Sequence, residues 1–187
     1  MNLPNKLTLL RVLLIPAFVL LLLWQFTKWN ILISLIIFAA ASLTDLFDGK
    51  IARKYHLVTD FGKFLDPLAD KALVMAAIVA FIELDWCGSV PVMLILFREF
   101  MVSALRLVVK SGDGVVVAAG WFGKIKTAFT MIAIVGILLM RGFEALGLVM
   151  PAIQLISDIL IWISALLTVG SGLQYLKAYW SVIDTNK

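Results

Sequence analysis

The chain is poor in charged residues, histidine and cysteine. Only 15% of its 187 residues are charged, whereas 63% are hydrophobic, and the mean hydropathy of +1.05 is far too high for a soluble domain of this size. The one cysteine, Cys87, excludes an intrachain disulfide and has no CxxC partner. The one histidine, His56, falls in a polar stretch and is interpreted as a solvated loop residue. This composition predicts a membrane protein.

The hydrophobic runs predict an all-α, polytopic membrane protein built as a single domain over residues 1–187. A span needs about 20 apolar residues, so the chain has room for about six helices with short loops. Breaks in hydropathy, glycines and prolines place six transmembrane helices, preceded by an amphipathic N-terminal lead-in. Their predicted ranges are 7–26, 30–53, 63–84, 89–110, 120–141 and 152–181.

The positive charge sorts to one side of this predicted bundle. Six spans put both termini on the same side, which then carries most of the lysine and arginine, whereas Lys28 and Arg141 lie opposite. Basic residues favour the cytoplasmic side, so both termini are predicted to be cytoplasmic, and a bacterial plasma membrane is the expected location. The net charge of +4 is explained by topology and requires no nucleic-acid partner.

Four aspartates flank the loop between the second and third predicted helices. Asp45 and Asp48 stand three residues apart near the end of one helix, and Asp66 and Asp70 stand four apart near the start of the next. Each spacing places a pair on one face of its helix, and the loop turns the two faces together. The sequence therefore predicts a cluster of four carboxylates at the cytoplasmic membrane face.

Such a cluster repels itself unless cations neutralise it. An all-oxygen set without thiolate or imidazole selects hard divalent ions, and four carboxylates suit two Mg²⁺ ions, with Mn²⁺ as a substitute, beside a substrate phosphate. The alternative is that the aspartates are solvated helix ends or partners of Arg53, Lys63 and Lys71. Gly49 and Gly62 either let a ligand approach the backbone or form ordinary turns.

The segment from Asp45 to Asp70 reads D-x2-D-G-x2-A-R-x8-G-x3-D-x3-D. It resembles the signature of the CDP-alcohol phosphatidyltransferase family at every defined position. The resemblance implies a six-helix, usually homodimeric enzyme that joins an alcohol to the phosphate of a CDP-linked substrate and releases CMP. The membrane bilayer would then supply the lipid substrate.

The resemblance also implies roles for individual residues. Asp70 would be the catalytic general base on the attacking hydroxyl. The implied metal ligands are Asp45, Asp48, Asp66 and Asp70. The implied CDP-binding residues of this segment are Gly49, Ala52, Arg53 and Gly62.

The opening residues N-L-P-N-K-L-T-L-L-R, which include Asn5 and Thr8, resemble one branch of the same family. The resemblance implies that Asn5 and Thr8 contact the nucleotide. The alternative for both residues is helix capping.

A second cationic set, Arg98, Arg106, Lys124 and Lys126, is the candidate site for the phosphate of the acceptor. Arg98 falls in mid-span, which is costly unless it lines a polar cavity. Because neighbouring Glu99 should point elsewhere, the partner of Arg98 is expected from another helix or a ligand. The alternatives are an internal ion pair for Arg98 and ordinary cytoplasmic lysines and arginines for the others.

The stretches R-E-x3-S-A-L-R and G-K-x-K-T around these cations resemble the same branch. They imply transfer of phosphatidyl from CDP-diacylglycerol to sn-glycerol 3-phosphate. Other acceptors, as in enzymes that make cardiolipin or phosphatidylinositol phosphate, are the alternative within the family. An intramembrane prenyltransferase, which also binds a magnesium diphosphate with aspartate-rich helices, is another alternative. The G-x2-A-R insertion between the aspartate pairs argues against it. A divalent-cation transporter would spread its ionisable groups across the membrane and show internal repeats, whereas the aspartates lie near one face.

Overall fold

The computed structural model describes the backbone of residues 3–24, 26–54, 60–111 and 121–180. Side chains are described for residues 5–24, 26–44, 69, 71–106 and 121–180. Within these residues the chain forms six α-helices and no strand, which confirms the all-α prediction. The helices are α1 (Leu3–Leu23), α2 (Asn30–Lys54), α3 (Asp60–Glu83), α4 (Ser89–Ser111), α5 (Trp121–Ala145) and α6 (Ile153–Tyr179).

The observed helices match the predicted ones apart from their ends. The helix α1 begins at Leu3 and includes the segment expected as a separate lead-in, because Pro4 is tolerated in a first turn, where its missing N–H costs nothing. The helix α5 continues to Ala145 rather than ending at residue 141. It stops before Gly147, whose φ of 99° suits glycine. There Leu148 N–H donates to Phe143 O at 3.1 Å, as in a Schellman motif.

Three helices are long and apolar enough to cross a membrane among the described residues, namely Asn5–Leu23, Trp121–Ala145 and Ile153–Tyr179. The described part of α4 is interrupted by Arg98, Glu99 and Arg106, which lowers its hydropathy. Many large apolar side chains are nevertheless exposed, including Leu13, Ile132, Leu166 and Leu173, each more than half exposed. A surface of this kind suits lipid rather than water. Six spanning helices stay a prediction.

The contacts divide the chain into two compact units. Unit 1 comprises Met1–Trp86 and Ile134–Ile153, and unit 2 comprises Cys87–Ala133 and Gln154–Lys187. The interpretation of residues 1–187 as a single domain stays a prediction.

In unit 1, α1 packs against both α2 and α3. The rings of Phe18 and Phe38, both fully buried, lie 5.6 Å apart between α1 and α2. Asn30 fixes the connection between these helices, because its amide donates to Trp24 O at 2.9 Å while its carbonyl accepts from the Thr27 hydroxyl at 2.6 Å. These bonds satisfy groups that helix ends leave unpaired.

The end of α3 forms a second turn of unit 1. Trp86 N–H donates to Phe81 O at 2.8 Å, and Asp85 adopts a φ of 56°. This geometry is a Schellman motif in which aspartate replaces the usual glycine. It holds the Trp86 ring 5.4 Å from the Phe81 ring, buried beneath the surface.

In unit 2, α4 and α6 supply an aromatic core. Val102, Tyr175 and Tyr179 are buried together, with Met101 packed against them. The two tyrosine rings stack with centroids 6.2 Å apart. This core gives α6 a rigid aromatic surface, and two arginines of α4 lie against it.

Candidate active site

The helical backbone places the four aspartates as the sequence predicts. Asp45 and Asp48 lie in the C-terminal part of α2, and Asp66 and Asp70 lie in the N-terminal part of α3. The two helices contact each other within unit 1. The helical spacing on which the carboxylate prediction depends is therefore present in the backbone.

The side chains of these aspartates lie outside the described residues, and so do the surroundings of the predicted CDP-binding residues Gly49, Ala52, Arg53 and Gly62. Their metal and nucleotide roles stay predictions. Elsewhere, among the side chains that are described, no group of three or more histidine, cysteine, aspartate or glutamate residues is arranged to hold a metal ion.

The N-terminal half of α1 carries a buried polar face in unit 1. Asn5 is 7% exposed, and Thr8 and Arg11 are each 1% exposed. Since α1 begins at Leu3, neither Asn5 nor Thr8 occupies the N-cap position, so simple capping does not explain them. Arg11 belongs to the basic residues that the predicted topology places on the cytoplasmic side. Its complete burial on a helix that packs against α2 and α3 adds it to the polar groups of unit 1.

Arg98 lies in a dense set of contacts in unit 2. One terminal nitrogen, Nη2, donates to Ser171 Oγ at 2.6 Å, and the other, Nη1, donates to Glu99 Oε1 at 3.1 Å. The guanidinium carbon is 5.5 Å from the centre of the Tyr175 ring. The expectation that Glu99 points elsewhere is wrong, because both side chains are long enough to meet although they leave the helix in different directions. The expected partner on another helix is also present, as Ser171.

Arg106 approaches the same tyrosine. Its Nη2 donates to the Tyr175 hydroxyl, and its guanidinium carbon lies 4.9 Å from the centre of the ring. Tyr175 is 6% exposed. Two guanidinium groups, which sequence analysis placed eight residues apart on α4, are thus brought to one buried aromatic side chain.

The predicted lysines differ in their surroundings. Lys126 is 9% exposed and forms an ion pair with Glu99. Lys124 is exposed and lies 5.5 Å from the centre of the Trp121 ring, away from these contacts. The structure therefore joins Lys126, but not Lys124, to the two arginines.

We call the resulting group the cation cluster. It comprises Arg98, Glu99, Arg106, Lys126, Ser171 and Tyr175. Among the described side chains it contains three cations and one carboxylate; Arg98 and Lys126 are buried, and Arg106 is half-buried. Charged groups lose solvation when they are buried, so a surplus of one sign favours binding of an oppositely charged ligand. An anion such as phosphate is the natural ligand.

The sequence pattern of the sixth predicted helix, 152–181, indicated only an apolar span, and its contribution to the cation cluster comes from the structure. Ser171, Gly172 and Tyr175 follow buried Ser164 and Thr168 at helical spacings. Gly172 is needed for close packing, because a Cβ atom there would lie 2.8 Å from Arg98 Cγ. Small and hydroxyl-bearing residues along one face of an apolar span are the signal that could have identified this helix as part of the site.

Unit 1 contains a separate buried arginine. Arg141 is 9% exposed, pairs with Glu144 at 3.0 Å, and lies 5.4 Å from the centre of the Trp86 ring. With Ile31 and Ala145 these residues line a cavity of about 200 Å³. We call Arg141, Glu144 and Trp86 the Arg141 cluster. It holds one cation and one carboxylate.

Cys87 takes no part in either cluster. Burial and the nearby charge of Asp158 raise the pKa of its thiol to about 11. The thiol therefore stays protonated at neutral pH, when only the thiolate would be a nucleophile.

The sequence of the chain matches a known protein family. The sequence profile described as CDP-alcohol phosphatidyltransferase matches residues 1–170. The chain belongs to this family, as the signature from Asp45 to Asp70 indicates.

Individual relatives are similar over nearly their whole length. A protein of Bacillus subtilis (strain 168) named CDP-diacylglycerol–glycerol-3-phosphate 3-phosphatidyltransferase is 41% identical, with 99% of this chain and 98% of the relative covered. Proteins of the same name are 40% identical in Rickettsia felis, with coverages of 95% and 94%, and in Yersinia pestis (strain Pestoides F), with coverages of 97% and 96%.

Proposed function

We propose that this membrane protein transfers phosphatidyl from CDP-diacylglycerol to sn-glycerol 3-phosphate, giving phosphatidylglycerophosphate and CMP. The observation that carries the proposal within the molecule is the cation cluster, whose surplus of buried positive charge suits an acceptor that bears a phosphate. A neutral alcohol would bring no negative charge to this surplus of cations. The names of the relatives, which specify these two substrates, agree with this acceptor.

In the proposed reaction, a hydroxyl oxygen of glycerol 3-phosphate attacks the phosphorus that carries the diacylglycerol. The bond from that phosphorus to the CMP oxygen breaks, and CMP leaves with the electron pair. Asp70 accepts the hydroxyl proton on a carboxylate oxygen. Arg98, Arg106 and Lys126 hold the acceptor's own phosphate, which does not react, and thereby orient its hydroxyl.

The donor set of the aspartates fits two Mg²⁺ ions, because carboxylate oxygens are the ligands that this ion prefers. Asp45, Asp48, Asp66 and Asp70 would hold them, and Mn²⁺ would be a substitute. When bound, the ions would neutralise the diphosphate and the charge that develops on the leaving CMP. Asn5, Thr8, Gly49, Ala52, Arg53 and Gly62 are proposed to bind the CDP group.

The proposed setting is a bacterial plasma membrane crossed by six helices, with both termini and the reacting groups on the cytoplasmic side. A homodimer is the proposed assembly, by resemblance to the family. The acyl chains of CDP-diacylglycerol would stay in the bilayer while its head group enters the site. Lys124, which is exposed, stays a predicted contact of the acceptor phosphate.

The test is CMP release by purified protein in detergent with CDP-diacylglycerol and glycerol 3-phosphate. Mg²⁺ should support turnover and EDTA should stop it. Asp70→Asn should lower kcat by about a thousandfold, because it removes a general base together with a metal ligand. Asp85→Asn is the matched control, since Asp85 is an exposed turn residue with a positive φ that asparagine also adopts. It should keep wild-type activity.

Turnover that persists in EDTA, or in Asp70→Asn, would contradict the proposed roles of the aspartates. Turnover with phosphatidylglycerol or inositol phosphate in place of glycerol 3-phosphate would keep the reaction and reject the acceptor. Binding of Mg²⁺ without any CMP release, together with ion flux in liposomes, would favour a transporter instead.

A further inference from the structure

We infer that Tyr175 is a positioning residue that holds Arg98 and Arg106 together as a two-guanidinium clamp for the acceptor phosphate. The inference rests on the proposed function, since it assigns the clamp to the phosphate of glycerol 3-phosphate. Tyr175 is not a catalytic residue in this account, because it acts through the two arginines.

The Tyr175 ring lies close to both guanidinium groups. The centre of the Tyr175 ring lies 5.5 Å from the Arg98 guanidinium carbon and 4.9 Å from that of Arg106. Both distances are within the range in which a cation is attracted to the face of an aromatic ring. The Tyr175 hydroxyl also accepts a hydrogen bond from Arg106. One side chain thus stabilises two like charges that would otherwise repel each other.

The Tyr175 side chain is held rigidly by its neighbours. Tyr175 is packed with Val102 and stacked on Tyr179, which is fully buried. Such a side chain has few alternative rotamers. Gly172, one turn before Tyr175, lets Arg98 lie close against α6. The arginines are therefore held before a ligand arrives, which lowers the entropic cost of binding.

Arg106 is half-buried and contacts no carboxylate among the described side chains. Poorly solvated positive charge without a carboxylate partner favours an anionic ligand. A planar group with several donors matches the oxygens of a phosphate. Tyr175 supplies orientation and one neutral acceptor, and leaves the positive charge available for the ligand.

The experiment measures KM and kcat for both substrates in wild type, Tyr175→Phe and Tyr175→Leu. The phenylalanine variant keeps the ring and loses the hydroxyl, so KM for glycerol 3-phosphate should rise about tenfold. The leucine variant loses the ring as well, so the rise should reach about a hundredfold. In both variants kcat and KM for CDP-diacylglycerol should stay within about twofold of wild type. Leu173→Ala, at an exposed position of the same helix, is the control and should change neither KM.

Calorimetric titration of the same proteins with inorganic phosphate measures binding without turnover. Phosphate affinity should fall in the order wild type, Tyr175→Phe, Tyr175→Leu. If wild type does not release CMP with glycerol 3-phosphate, the proposed function fails, and this titration decides the inference alone. If turnover is normal but neither Tyr175 variant changes KM or phosphate affinity, the inference fails and the proposed function stands.

A purely structural role predicts a different pattern. Tyr175 variants would then unfold at lower temperature and lose activity toward both substrates in parallel. Gel filtration and thermal unfolding identify this case. If activity toward both substrates fell in parallel while the folded protein kept its phosphate affinity, the inference would be overturned.

Discussion

Arg98 in unit 2 and Arg141 in unit 1 are two buried arginines with similar neighbours and different charge balance. Each lies near an aromatic ring, at 5.5 Å from Tyr175 and 5.4 Å from Trp86 respectively, and each pairs with a glutamate close in sequence. The Arg141 cluster holds one cation and one carboxylate. The cation cluster holds three cations and one carboxylate.

The difference supports the proposal that the Arg141 cluster is a structural ion pair and that the cation cluster is a ligand site. The Glu144 side chain is 42% exposed, so the carboxylate of the Arg141 pair reaches solvent, and one carboxylate matches one cation. Glu99 is only 14% exposed and is contacted by both Arg98 and Lys126. In the cation cluster, charge of one sign accumulates where solvation is poor, which is the arrangement expected of a site that binds an anion.

The largest expected effect is on kcat/KM for glycerol 3-phosphate, which should fall on substitution of Arg98 but not of Arg141. Arg98→Gln should lower kcat/KM for glycerol 3-phosphate by about a hundredfold or more, because a buried, hydrogen-bonded charge is lost from the ligand site. Arg141→Gln should leave both KM values unchanged and lower the unfolding temperature by a few degrees, because Glu144 and the Trp86 ring lose their cation. Steady-state CMP release and thermal unfolding in detergent measure the two effects.

Equal kinetic losses in the two variants would contradict this expectation, since a balanced ion pair outside the cation cluster should not affect acceptor binding. If Arg98→Gln lowered the unfolding temperature without any kinetic effect, Arg98 would be a structural residue rather than part of the acceptor site.

A smaller effect is expected from two glycines of α6. Gly172→Ala places a Cβ atom 2.8 Å from Arg98 Cγ, so Arg98 must shift, and KM for glycerol 3-phosphate should rise several-fold. Gly170→Ala meets no atom within 4 Å and should raise helix stability by up to about 1 kcal/mol without a change in KM. The pair is matched in residue, helix and substitution.

If Gly170→Ala raised the KM as much as Gly172→Ala does, close packing against Arg98 would not be the cause. Unchanged kinetics in both variants would show that the acceptor site tolerates a displaced Arg98.

Much of the fold follows from sequence because its signals are local. Hydrophobic runs and glycine breaks gave six helices, and the aspartate spacing placed each pair on a helical segment. The predicted fifth helix ends at residue 141, whereas α5 continues to Ala145. The ion pair of Arg141 with Glu144 and the turn at Gly147 explain the longer helix.

Less of the site could be predicted, because its contacts join distant segments. Ser171 and Tyr175 lie about 70 residues after Arg98 and Arg106, and no local pattern specifies that pairing. The sequence predicted Arg98 as a ligand-site residue from its cost in mid-membrane, but misjudged Glu99. Side-chain length, rather than helix periodicity, decides that contact. The roles of the four aspartates stay predictions.

Two acceptors that differ only in the phosphate test whether the cation cluster binds that phosphate. Initial rates of CMP release by wild-type protein would be measured with CDP-diacylglycerol and Mg²⁺ against increasing glycerol 3-phosphate or glycerol. The account predicts saturable turnover with glycerol 3-phosphate and at least about a hundredfold lower kcat/KM with glycerol, because glycerol leaves the cation cluster without its anion. Comparable kcat/KM values for the two acceptors would contradict the account.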